Sequence, residues 1–415
     1  MRLALLLTFL GLFPSLAHAQ NTITAPTDIR LVPVEYSGYY KYGIYATLAG
    51  STNGPGLFEF DTGGSGFYAV AGGGASTSYW GTNYAPSNQT FTNSYDSGNV
   101  YTGTSVTTSV AIYSARDASH NYNPDAAPAV ITNPNILVGQ TTSITNIYGK
   151  NDNWPSDSAP VDGVFYGDFG LALKSSPNGI MNVFAQLDYG PGVTPGFVVK
   201  LGAYGSADPR VQVGLAADEH SKYNIKIQMA GINTTNTFPN SDLPTYSEQI
   251  ITAQMTLTNG TTVYSGTIGV TLDTGATPKI HDTNNDVTTL PSFFVTNYTT
   301  NHLGVVSTNI SVADGATLSL FATETNGVTT LNIFDMLVDS TTNSVMVQIS
   351  NTFYINMGAS LFYQYDVMYD FQNGVLGLRT VPEASQALLM ATGVLSIIGA
   401  SLARTAFRRS KRRRP

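Results

Sequence analysis

The sequence contains no cysteine, which removes disulfides, thiolate metal sites and cysteine nucleophiles together. Histidine is nearly as scarce, and only His120, His220, His281 and His302 lie beyond residue 19. They are scattered without metal-ligand spacing and none stands beside a Gly-x-Ser-x-Gly elbow. Zinc chemistry and a Ser-His-Asp hydrolase are therefore disfavoured, each histidine reads as a loop or surface residue, and no metal or cofactor is expected. Charged residues make up 11% of the chain, against about 25% in an average globular protein. Lys and Arg total 19 against 27 Asp and Glu. The basic residues crowd the C-terminal tip, so the middle is strongly acidic and repels nucleic-acid phosphates. Gly72-Gly73-Gly74 is no phosphate loop, because no Gly-Lys-Ser/Thr follows it. Helical periodicity is also short, its best stretch being Met181–Leu187, where Met181, Phe184 and Leu187 share a face.

What fills the space is Thr, Ser, Asn, Gly and Tyr, with 42% hydrophobic residues, enough for large cores of strands and turns. Val32–Tyr36, Tyr42–Leu48 and Leu57–Phe60 read as strands, punctuated by Gly54-Pro55-Gly56. Ser114–Asn135 and Asn233–Tyr246 read as surface loops. The fold class expected is all-β, and 415 residues call for more than one domain.

Both ends read as addresses. Met1–Ala19 has Arg2, an apolar run from Leu3 to Leu12, and Ala17-His18-Ala19 at its end, the pattern of a signal peptide. At the other end Val381-Pro382-Glu383 precedes an apolar stretch from Ala387 to Ala403 and a tip rich in Arg. That length suits one short transmembrane helix, with the basic tip on the cytoplasmic side. The tail resembles the PEP-CTERM sorting signal of Gram-negative bacteria. The resemblance implies a bacterial, exported protein and an exosortase-like processing enzyme as partner. The other reading is a permanent membrane anchor.

One long-range echo carries chemistry. Phe58-Glu59-Phe60-Asp61-Thr62-Gly63 recurs in kind at Val270-Thr271-Leu272-Asp273-Thr274-Gly275. Two carboxylates facing each other across one water cannot both be charged, so they share a proton. The ionised one can take a proton from the water and the neutral one can donate to a carbonyl oxygen. Each glycine lets the backbone turn an N–H toward the carboxylate, and Thr62 and Thr274 are placed to lock the pair.

With these motifs the chain resembles the pepsin-like (A1-type) family of aspartic proteases. Val161-Asp162-Gly163-Val164-Phe165-Tyr166-Gly167 and Ile355-Asn356-Met357-Gly358-Ala359-Ser360-Leu361-Phe362 resemble the two apolar-Gly threads that the family runs behind its catalytic loops. Tyr365–Leu378 is similar to its closing strand pair. The resemblance implies two β-rich lobes around a cleft, residues 20–205 and 206–380, divided near 200–206, between a signal peptide at 1–19 and a tail at 381–415. It implies a monomer acting on a peptide or protein substrate, with Asp61 and Asp273 as catalytic residues and Thr62, Gly63, Ser65, Thr274 and Gly275 supporting them. The flap tyrosine is nominated as Tyr95, with Tyr101 as the other register. Tyr68 stands seven residues after Asp61, where the family often has a tryptophan that hydrogen-bonds toward the flap.

The departures are specific. The family's Ser or Thr after Asp-Thr-Gly is replaced by Gly64 and Ala276, with Ser65 as the candidate substitute. The stretch from Gln20 to Asp61 leaves no room for a long inhibitory pro-segment. Gly64 keeps open a pepsin-like binding protein that no longer cuts, and the Thr/Asn/Gly-rich composition keeps open a structural matrix protein.

Overall fold

Outer strands such as Ile251–Asn259 and Thr317–Thr323 alternate buried and more exposed residues, central ones such as Ser65–Val70 are buried throughout, and the result is a molecule of two β-lobes joined by a shared sheet. The computed structural model describes residues 22–72, 77–115, 129–149, 153–282, 294–300 and 306–381. The expected signal peptide, the sorting motif beyond Val381 and its apolar stretch lie outside these residues, as do His120 and His302. Among the described residues there is no α-helix, and no helix is long and apolar enough to cross a membrane.

The first lobe is an eight-stranded sheet. Its order is 32–36, 39–48, 56–61, 167–171, 65–70, 131–146, 99–113 and 84–94, and 39–48 also pairs with 99–113 to curl it toward closure. The second lobe is a nine-stranded sheet ordered 294–300, 306–312, 346–349, 279–282, 354–356, 262–271, 251–259, 317–323 and 330–337. A six-stranded sheet draws on both halves of the chain, with 27–30, 210–215, 194–200, 365–370, 375–380 and 225–228 in order. The arrangement is consistent with a pepsin-like fold. Residues 200–206 turn between two strands of this shared sheet rather than crossing from lobe to lobe. Phe197 stacks on Tyr369 there, and Phe184, Phe238 and Phe371 extend the same apolar cluster.

Several expectations need adjusting. Residues 131–135 of the expected loop open the strand Ile131–Asn146, buried on one face through Ile131 and Asn133. Asn233–Thr237 pairs with Pro244–Thr245 as a small ribbon. The helical periodicity at 181–187 yields one 3₁₀ turn, Phe184–Gln186, whose apolar residues are all buried in the core. His281 is buried and stacks on Tyr354 at 4.0 Å, and the His220 Nε2 atom lies 2.5 Å from buried Asp370, so neither is a plain surface residue.

Candidate active site

The two Asp-Thr-Gly segments fold alike because each leaves a strand at a sheet centre. Gly56–Asp61 is flanked by 39–48 and the parallel thread 167–171, and Thr262–Thr271 by 251–259 and the parallel thread 354–356. The Gly63 N–H donates to Asp61 Oδ1 at 2.7 Å and the Gly275 N–H to Asp273 Oδ1 at 2.8 Å. The threonines bind the loops to each other. Thr62 N–H donates to Thr274 Oγ1 at 3.1 Å and Thr274 N–H to Thr62 Oγ1 at 3.0 Å, while the hydroxyls donate to Leu272 and Phe60 carbonyls at 2.8 and 2.6 Å. This reciprocal clasp closes only if the loops are related by a local two-fold.

Glycine is required at both loop tips for space. A Cβ on Gly63 would overlap the Asp273 carboxyl, and one on Gly275 would lie 2.9 Å from the Asp61 Cγ. The two carboxyl groups meet between them and hydrogen-bond to each other. Burial pushes the Asp61 carboxyl up, the nearby Glu59 adds to this, and the hydrogen bonds from Asp273, Gly63 and Gly64 oppose it. Burial also pushes Asp273 well up, and the neighbouring Asp61 adds a further rise that the Asn356 and Gly275 donors only partly offset. The pair thus retains one proton beyond the usual carboxylate range.

A cleft of about 410 Å³ opens over the pair, with Asp61, Asp273, Ser65, Tyr95, Gly275 and Asn356 among its lining residues. The hairpin of Tyr84–Ser94 and Asn99–Tyr113 turns through residues 95–98 above it. Tyr95 sits at the turn and its hydroxyl donates to Asp168 Oδ2 at 2.7 Å. Tyr101 is buried beneath, its ring 4.8 Å from that of Tyr95. Tyr68 packs its ring on Phe91 and Tyr101 of the flap hairpin, but its hydroxyl accepts from Asn178 Nδ2 at 2.9 Å rather than bonding to the flap. Ser65 starts the strand Ser65–Val70 and pairs with Leu171. The space over Gly64, however, is reached by Asp168.

Known proteins give little direct guidance. No protein-family model matches the sequence, and no curated protein matches it. Among solved structures, the crystal structure of an aspartic proteinase from Irpex lacteus is similar at a TM-score of 0.49 and 12% identity, covering 86% of this chain and 98% of that one. The case for the site therefore stands on its own geometry.

That geometry contains residues outside the expected set. The first thread is Gly167–Leu171, not Val161–Gly167. Asp162 and Gly163, at φ 52° and 71°, fold residues 161–165 into a turn closed by Val161 and Phe165, so the strand begins only at Gly167. This brings Asp168 beside Glu59, two residues before Asp61, and the second thread brings Asn356 beside Thr271, two residues before Asp273. Asn356 Nδ2 donates to Asp273 Oδ2 at 2.6 Å. In the same cleft, buried Lys41 donates to Glu59 at 2.6 Å and lies 2.7 Å from Asp162. Burial alone pushes the Lys41 ammonium down, but Glu59 and Asp162 outweigh it and hold the group well above its ordinary value. A usable signal was in the sequence: Asp168-Phe169-Gly170 matches Asn356-Met357-Gly358 residue for residue in kind.

Proposed function

We propose that this protein is an exported aspartic endopeptidase. The observation that carries the reading is the hydrogen-bonded Asp61–Asp273 pair, held at the floor of a cleft by the Thr62–Thr274 clasp. A water between the carboxyls attacks the peptide carbonyl carbon while Asp61 takes its proton and Asp273 gives its own to the carbonyl oxygen. The resulting gem-diol collapses as the Asp61 proton passes to the nitrogen, the C–N bond breaks, and a gem-diol proton returns to Asp273. The flap carrying Tyr95 covers an extended substrate.

Cleft geometry supports the chemistry, while export rests on the Met1–Ala19 pattern and the PEP-CTERM-like tail, for which an exosortase-like enzyme is the proposed partner. The test is hydrolysis of an unfolded protein substrate between pH 3 and 6 by residues 20–380, with and without pepstatin. The reading requires pepstatin-sensitive cleavage that disappears in Asp61→Asn and Asp273→Asn. Cleavage surviving either substitution sinks it. No cleavage at any pH favours the second reading, a pepsin-like binding protein of the extracellular matrix, to which the missing side chain at Gly64 points.

A further inference from the structure

Neither Asp-Thr-Gly loop has a hydroxyl residue behind it, yet the two lobes do not leave their aspartates equally supported. In the second lobe, where Ala276 follows the motif, Asn356 donates to the outer Asp273 oxygen at 2.6 Å. The local two-fold that pairs Thr62 with Thr274 also pairs Asn356 with Asp168. Each lies on a parallel thread opposite the residue two before the aspartate, and each is followed by an apolar residue and a glycine. Those glycines approach the loops in the same way. A Cβ on Gly358 would lie 2.5 Å from the Ala276 carbonyl oxygen, and one on Gly170 would lie 2.5 Å from the Gly64 carbonyl oxygen.

The place above Gly64 is where the lobes differ. A Cβ there would stand 2.5 Å from Asp168 Oδ2 and 2.7 Å from Asp61 Oδ2, so both outer oxygens converge on the same small volume. Asp168 Oδ2 also accepts the Tyr95 hydroxyl at 2.7 Å, and Asp168 Oδ1 is buried with no partner. We propose that Asp168 is a positioning residue that does for Asp61 what Asn356 does for Asp273: its carboxyl O–H, in the space Gly64 leaves free, supports the outer Asp61 oxygen and ties it to the flap tyrosine.

This rests on the endopeptidase reading and deepens it. A carboxyl can donate only while protonated, and the surroundings favour that state. Burial pushes Asp168 well up, Asp61, Glu59 and Asp273 push it further, and only the Tyr95 hydroxyl opposes them. Tyr68 faces it from the neighbouring strand, and the buried cation nearby, Lys41, is engaged by Glu59 and Asp162. A neutral Asp168 beside Asp61 also favours Asp61 as the ionised member of the pair.

Asp168→Asn and Asp168→Ala separate this role from mere packing. Asparagine keeps the protonated acid's donor toward Asp61, with the Tyr95 hydroxyl turning to accept its second N–H, and makes the site two-fold symmetric. Asp168→Asn is expected to keep kcat within about threefold at pH 4 and to hold activity to higher pH than wild type, because it has no proton to lose. Asp168→Ala is expected to lower kcat at least tenfold and raise KM, since Asp61 and the flap both lose their anchor. Equal kinetics and pH profiles for the two variants, or an Asn variant as impaired as the Ala one, overturn the proposal. Thermal melts give a readout independent of turnover. A raised folded pKa stabilises fully below the unfolded value near 4 and the benefit is lost as pH rises through the folded one. The Tm advantage of Asp168→Asn over wild type should therefore grow from pH 4 to 8, and a constant difference overturns the protonated state. If the wild type does not cleave, the endopeptidase reading fails by itself and the melts still decide Asp168.

Discussion

Thr62 and Thr274 exchange hydrogen bonds across the lobes, each backbone N–H donating to the other's hydroxyl at 3.1 and 3.0 Å. Since each hydroxyl also donates to a carbonyl of the opposite strand, the clasp fixes both the distance between the loops and their relative rotation. Thr62→Ala leaves a buried N–H of Thr274 and the Leu272 carbonyl without partners. The expected loss is about 1–3 kcal/mol, read from chemical denaturation. Thr62→Ala/Thr274→Ala should cost less than the two single variants added together, because they share one network. Peptidase turnover should fall more than stability does, since the carboxyl pair depends on the same rotation.

Asn356 tunes Asp273 through a single short bond. Its N–H groups favour the ionised carboxylate, so removing them raises the Asp273 pKa further. Asn356→Leu is expected to carry the alkaline limb of kcat/KM to higher pH, because that limb reports the loss of the Asp273 proton. Turnover at the optimum should fall about tenfold or more as the carboxyl loses its orientation. A pH–rate profile of the purified variant reads both effects.

The acid cluster also sets the pH dependence of folding. Glu59, Asp61 and Asp168 are buried and Asp273 is half-buried, and all four carboxyls are raised, loss of solvation being the largest cause in each. A group whose folded pKa lies above its unfolded value stabilises most at pH below about 4 and loses that contribution as pH climbs through the folded value. Thermal stability is therefore expected to decline from mildly acidic toward neutral pH. Asp273→Asn, which abolishes the proposed chemistry, should raise Tm at pH 7 while changing it little at pH 3. Melts across that range check the sign directly.

Much of this is legible in the sequence, and what is not has physical causes. Both Asp-Thr-Gly loops and the closing pair, seen as Tyr365–Asp370 and Val375–Thr380, follow from local pattern, because turn glycines and alternating apolar residues are short-range signals. The strand Val32–Tyr36 has the expected bounds. The first thread lies later than its pattern suggests because Asp162 and Gly163 mark the turn before it, not the thread itself. Asp168 and Asn356 gain their meaning from strand pairings more than 80 residues apart in sequence. A lone Asp in Gly-Asp-Phe-Gly says nothing of the carboxyl it will face. Tyr68, read from its spacing as a hydrogen-bond donor toward the flap, meets the flap strands at Phe91 and Tyr101 with its ring alone, because the fully buried strand Ser65–Val70 leaves its hydroxyl to Asn178.

Lys41 is the one buried lysine or arginine among the described residues, and it holds two acids at once, Glu59 at 2.6 Å and Asp162 at 2.7 Å. Taking it away leaves Glu59 buried without its counter-charge and frees the turn at Asp162, whose φ of 52° already favours other conformations. Lys41→Met keeps most of the stem volume and removes only the charge, so its cost isolates the electrostatic part. Breaking such a buried pair from one side costs about 3–5 kcal/mol. Glu59 is expected to respond by taking up a proton at neutral pH, since the ammonium is the main influence opposing its raised pKa. Lys41→Met/Glu59→Gln should then recover a large part of the loss, and Lys41→Met/Asp162→Asn reads the share of the second acid, whose side chain is about as buried. Denaturation midpoints for the wild type, the single variant and the two double variants give the comparison. Recovery in neither double variant would mean that packing of the lysine stem, rather than its charge, supports the site floor.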